Sequence, residues 1–101
     1  MIKKILRGLG MSPDDYVGSI SEFAGYRSVR GYYMCSGQTL VVKGHEALFS
    51  IIGTKYGGNG RDNFNLPDLR PVDAKGNRID WKDYSGPCKM ICVEGYYPSY
   101  D

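Results

Sequence analysis

The stretch Ile52–Arg70, IGTKYGGNGRDNFNLPDLR, decides how the chain is read, because each chemistry it could serve demands a different continuation. Gly57-Gly58-Asn59-Gly60 has the glycine density of a phosphate cradle. A P-loop, however, closes on Gly-Lys-Ser/Thr and opens directly into a helix. Here Arg61-Asp62-Asn63-Phe64 follows, and Leu66-Pro67 forbids a helix start of that kind. The dinucleotide fingerprint fails for the same reason. The knot reads instead as a loop of positive-φ turns, positions that glycine fills without steric cost. Phe64 and Leu66 are expected to anchor it. Asp68 and Arg70 flank Leu69 and, at period-two spacing, share one side of an extended segment. Such a pair can hold a carboxylate or a sugar. It can also act as a hydrogen-bonded clamp tying the glycine loop to the body. The clamp is the expectation, because irregular backbone needs side chains to satisfy its polar groups.

Upstream, HEALFSII (His45–Ile52) predicts the clearest helix. Leu48, Ile51 and Ile52 share a face, Glu46 complements the positive amino end, and Gly53 stands where helices commonly stop. Val17–Phe23, Gly31–Cys35 and Gln38–Val42 predict strands, the last following a Ser36-Gly37 turn. Downstream, Ile79–Tyr84 alternates after the turn-like Lys75-Gly76-Asn77, and Cys88–Val93 predicts a central strand. The class is α+β: a small, loop-rich domain of short strands with one short helix.

Composition narrows the partners. The 101 residues suit a single domain, and 13 basic against 11 acidic side chains make no strong field for nucleic acid or anionic lipid. Nine Tyr offer apolar faces with polar tips, which suits protein–protein contacts. The amino-terminal stretch lacks a secretory apolar run, and nothing approaches a membrane span, so synthesis in a cytoplasm is expected. Residues 1–16 read as an arm. Ile2, Ile5, Leu6 and Leu9 lie at helical spacing opposite Lys3, Lys4 and Arg7, a face that orders against a neighbour.

Catalytic and metal chemistry find little support. Cys35, Cys88 and Cys92 are an odd set without framework spacing. Along a strand, Cys88 and Cys92 are separated by roughly 13 Å, too far to bridge each other. Buried thiols are the expectation, with a bridge from Cys35 to Cys88 or Cys92 left open. Zinc would need a fourth ligand beside these and His45, the single histidine. His45 can be imagined with Ser50 or Cys35, but no nucleophile sits on a strained elbow. Asp14-Asp15 and Asp80 with Asp83 show no pairing across a cleft. No catalytic residue, metal or cofactor is expected.

With these readings in place, the order of motifs resembles a known family. GSISEFAGYRSVRGYYMCSGQTL followed by ALFSIIGTKYGGNGRDNFNLPDLR is similar to the phage tail collar domain, found in short tail fibres and in microcystin-dependent proteins. The shared pattern runs G-x-I-x-x-F-A-G, G-W-x-x-C-x-G-Q-x-L, A-L-F-x-x-I-G-T-x-Y-G-G-x-G and F-x-L-P-D-L-R. The closing ICVEGYYPS also resembles the family's last strand. Tyr32 replaces the usual Trp, Pro71 follows Arg70 where Gly-Arg is common, and the variable loop shrinks to Pro71–Pro87.

The resemblance implies a minimal tail collar domain over residues 17–101. It implies structural roles for Gly25, Cys35, Gly37, Gln38, Leu48, Phe49, Gly53, Tyr56, Gly57, Gly58, Gly60, Phe64, Leu66, Pro67, Asp68 and Arg70. It further implies a virion tail or tail-fibre component that is not an enzyme and acts through other tail or fibre proteins. A homotrimer is expected, with Ile2, Ile5, Leu6, Tyr96, Tyr97 and Tyr100 as contact residues. One alternative is a fibre tip touching a host surface glycan or protein. From another class come a cell-wall hydrolase and a prophage-derived small-ligand binder, the latter favoured by a pocket lined with Tyr and Trp81.

Overall fold

The longest apolar run of the carboxyl-terminal half, Cys88–Cys92, becomes the middle strand of a computed structural model that describes residues 16–98. In chain order the described elements are β1 (Ile20–Phe23), β2 (Tyr32–Met34), β3 (Thr39–Val41), α1 (Glu46–Ile52), β4 (Asn63–Asn65), a 3-10 turn at Trp81–Asp83 and β5 (Cys88–Cys92). One antiparallel sheet has the order β1-β5-β2, and β3 pairs antiparallel with β4 in a second, two-stranded sheet. The fold is α+β, mostly strands and loops.

Register explains why β5 does not alternate. Directly paired residues in an antiparallel ladder project to the same face. Ile91 pairs with Ile20 and Tyr33, so these three share one face with the Glu22–Lys89 pair. Cys88, Met90 and Cys92 pair with Phe23, Met34 and Tyr32 on the other. Both faces are covered. Ile91 joins Val17, Cys35, Leu48, Phe64 and Leu66 in a core beneath α1 and the second sheet. Met90, Cys88 and Cys92 join Tyr32 and Trp81 in a second core. A strand covered twice reads as a continuous apolar run.

The strand ends fall inside the predicted ranges, each for a local reason. Ser19 donates to the Tyr16 carbonyl at 2.9 Å, turning the chain so that β1 begins only at Ile20. Ser36 N–H turns back to the Met34 carbonyl at 3.1 Å and ends β2. The third prediction shortens to Thr39–Val41, after which Val42 donates instead to the Asp62 carbonyl.

At Ile79–Tyr84 the extended prediction is overturned. Asp80 takes the cap position of a 3-10 turn and accepts from Lys82 N–H, while Asp83 N–H closes on the Asp80 carbonyl at 2.9 Å. An aspartate offering its side chain to nearby backbone N–H groups favours such a turn over a ladder. The turn still buries Trp81 in the second core.

Helix α1 spans seven residues, too short to persist alone. Leu48 is its buried anchor, and Phe49, Ile51 and Ile52 pack against the first core. His45 occupies the cap position without a side-chain cap bond. Its Nδ1 lies 2.9 Å from the Val41 carbonyl and its Nε2 lies 3.1 Å from Tyr33 Oη. Gly53 ends the helix at φ 53°, its N–H donating to the Phe49 carbonyl at 2.8 Å. Cys35, Cys88 and Cys92 are buried thiols rather than disulfides, which closes the pairing question.

Candidate functional site

Glycine backbone and asparagine side chains build the 57–65 loop together. At Gly58 φ is 101°, and a Cβ there would lie 2.4 Å from Phe64 Cα. Only a residue without a side chain lets the loop lie so closely along β4. Asn65 N–H donates to the Gly57 carbonyl and Gly60 N–H to the Asn63 carbonyl, both at 3.0 Å. Asn59 Oδ1 accepts from the N–H groups of Arg61 and Asp62, each at 2.8 Å, and of Asn63 at 3.2 Å. Asn63 Oδ1 returns a bond from Asn59 N–H at 3.0 Å. These loop donors are therefore turned onto its own carbonyls and asparagine side chains rather than outward as an anion cradle. Gly57 packs on Asn65 and Gly60 on Thr54, while Tyr56 lies half exposed with Lys55 Nζ 5.7 Å from its ring centre.

Phe64, Leu66 and Pro67 are fully buried, and Phe64 meets the Phe49 ring at a centroid distance of 5.2 Å. Beyond them Asp68 and Arg70 form a two-pronged pair, with Nε to Oδ1 at 2.9 Å and Nη2 to Oδ2 at 2.7 Å. Arg78 approaches Asp68 Oδ2 at 3.6 Å and donates through Nη1 to the Arg70 carbonyl at 2.5 Å. The segment also bonds to the 35–37 turn: Gly37 N–H reaches the Pro67 carbonyl at 3.1 Å and Leu69 N–H the Cys35 carbonyl at 3.0 Å. Gly37, at φ 76°, lies against Asp68 Cβ. Gln38 braces the same turn, donating through Nε2 to the Met34 carbonyl at 2.8 Å and accepting from Ser36 N–H at 3.1 Å. The expected clamp thus exists, but it ties Cys35–Gly37 to the 70–78 segment. The glycine loop is held by its own asparagines.

Electrostatics follow this geometry. The Arg70 hydrogen bonds hold the Asp68 carboxyl at about 2, against an ordinary 3.8, with Arg78 adding a smaller pull. Burial pushes the Cys35 thiol up to about 11, and the Asp68 charge adds to the rise. Such a thiol is protonated at neutral pH and a poor nucleophile. Among the described residues no group of His, Cys, Asp and Glu has the arrangement of a metal site. Nor is any described helix long and apolar enough to cross a membrane.

The surface carries what the core does not use. Tyr16 and Tyr96 form a parallel bridge with their rings 6.0 Å apart, and Tyr97 reaches the hydroxyl of Ser50 on α1. Tyr97 keeps 53% of its surface exposed. Gly25 lies on an exposed loop where a Cβ would meet nothing within 4 Å. Ile2, Ile5, Leu6 and Tyr100 lie outside the described residues.

Sequence reasoning missed Asn59, Asn63 and Arg78. Asparagine between glycines carried a readable sign, since its side chain commonly bonds backbone two residues on. Arg78 carried none, because its partner lies across a turn that only the folded chain closes.

Compared with known proteins, residues 18–72 match the family model described as Phage Tail Collar Domain, more than half of the chain. No curated protein matches it.

Proposed function

Because this chain belongs to the phage tail collar domain family, we propose that it is a tail or tail-fibre component working through protein–protein contacts in assembly and host attachment. It is made in the host cytoplasm and carried in the virion as a homo-oligomer, with a trimer favoured. One observation carries this reading. The motif's polar and glycine positions satisfy one another inside the molecule, whereas large apolar side chains stay on its surface: Tyr26, Val41, Val72 and Tyr97 each keep more than half of their area in water. A site built for chemistry would spend its polar groups on a ligand; these groups close on themselves. Exposed aromatics of this kind suit interface anchors.

The test is direct. Light scattering on the full chain at micromolar concentration is expected to give a trimer mass, and antibody labelling of intact particles is expected to mark the tail. A monomer at all concentrations removes the oligomer, and label absent from particles removes the virion role.

A further inference from the structure

Asn59 is the one asparagine of the chain followed by glycine; Asn63, Asn65 and Asn77 precede Phe64, Leu66 and Arg78. That dipeptide carries its own reaction. Once base removes the Gly60 amide proton, the nitrogen bonds to Asn59 Cγ, Nδ2 leaves with a proton as ammonia, and a five-membered imide forms. Water then opens the imide. Cleavage between the ring nitrogen and Cγ gives aspartate. Cleavage between that nitrogen and the backbone carbonyl carbon gives isoaspartate, whose main chain runs through Cβ and Cγ. The sum is asparagine plus water going to either acid plus ammonia, without oxidant, cofactor or partner. Glycine favours ring closure because it sets no Cβ in the path and restricts its backbone least. Both residues lie exposed, so base and water reach them.

The native loop opposes this reaction at both reacting groups. Gly60 N–H donates to the Asn63 carbonyl at 3.0 Å, which shields the proton that must leave first. Asn59 Oδ1 is held by the N–H groups of Arg61, Asp62 and Asn63, so its carboxamide is directed across the turn. Closing the imide swings Cγ onto the Gly60 nitrogen, which breaks this set and removes the Gly60 donor. Three donors on Oδ1 would also steady the oxyanion formed on attack. That help comes only after the Gly60 proton has gone, and the closed loop withholds it. We propose that Asn59–Gly60 is a self-modification site that reacts only from the opened loop, so that isoaspartate at residue 59 records loop opening. The two products differ in consequence. Aspartate keeps an oxygen on Cγ for the same three N–H groups. Isoaspartate adds a carbon to the main chain beside Gly58, where a Cβ would already lie 2.4 Å from Phe64 Cα, so the loop does not close again along β4. The inference concerns the chain by itself and does not rest on the assembly role.

The full chain is incubated in mildly alkaline buffer, folded and in parallel unfolded in guanidinium chloride, and peptide mapping follows aspartate and isoaspartate at residue 59. Deamidation of the folded chain is expected to be at least about tenfold slower. The factor should match the hydrogen-exchange protection of Gly60 N–H, since both reactions begin when base meets that proton in the opened loop. Asn63→Ala removes the bond that Asn59 N–H makes to Asn63 Oδ1 at 3.0 Å and leaves both reacting residues in place. It is expected to speed deamidation of the folded chain about two- to tenfold while the unfolded rate stays the same. If Asn63→Ala does not fold, the wild-type ratio set against Gly60 exchange decides. The isoaspartate form, separated from the aspartate form, is expected to lose exchange protection at Arg61–Asn63 that the aspartate form keeps. The site is overturned by equal folded and unfolded rates or by slowing unrelated to Gly60 exchange. It is equally overturned by a folded Asn63→Ala chain that reacts at the wild-type rate, or by an isoaspartate form whose loop stays protected.

Discussion

Gly58 and Gly76 both neighbour an asparagine in a turn, and both adopt positive φ, at 101° and 86°. They differ in what surrounds them. A Cβ at Gly58 meets the Phe64 backbone at 2.4 Å, while one at Gly76 meets nothing within 4 Å. Gly76→Ala is therefore expected to cost about 1–2 kcal/mol from backbone strain alone. Gly58→Val adds a clash that only the backbone can relieve, and about 4 kcal/mol or outright unfolding is expected. Urea titrations compare them, and equal losses would refute the steric account. Asp68 gives the second prediction at this scale. Its folded carboxyl titrates at about 2, below the ordinary 3.8. Its stabilisation is therefore complete above about pH 4 and lost as pH falls toward 2. The pair is partly open to water, so after screening the contribution is about 1 kcal/mol. Asp68→Asn should flatten stability against pH across that window and nowhere else.

At the scale of elements, length alone leaves α1 dependent on its contacts. Leu48→Ala removes its buried anchor, and a loss of about 2–5 kcal/mol is expected in chemical denaturation. The 57–65 loop depends instead on one amide. Asn59→Ala removes the acceptor for three backbone N–H groups at an exposed site. Water replaces part of that bonding, so about 1–2 kcal/mol is expected, with faster hydrogen exchange at Arg61–Asn63 as the specific readout. Legibility varied element by element. The α1 and β5 segments were readable because an apolar face and an unbroken apolar run are local signals. The 3-10 turn was misread because Ile79, Trp81 and their neighbours alternate like a strand. The Asp80 side chain captured the backbone first, and pattern alone does not weigh that competition.

For the whole molecule, the two cores on either side of β5 make thiol accessibility a global measure. Cys35 lies in one core, and Cys88 and Cys92 lie in the other. All three should resist an aromatic disulfide reagent at pH 8 and react together once denaturant unfolds the chain. Early reaction of one thiol would show that its core opens by itself. Local information in the chain determined the α+β class, the helix, the central strand, the inward turn of Phe64 and Leu66, and the glycine knot's failure as a phosphate loop. Each depends on spacing or on the geometry a residue type allows. Tertiary structure alone decided that Asp68 and Arg70 recruit Arg78, that asparagines hold the glycine loop, and that Trp81 and Tyr84 line one depression with Glu22 and Lys89. These partners are brought together by chain closure between distant segments, and no local period encodes which distant segments will meet.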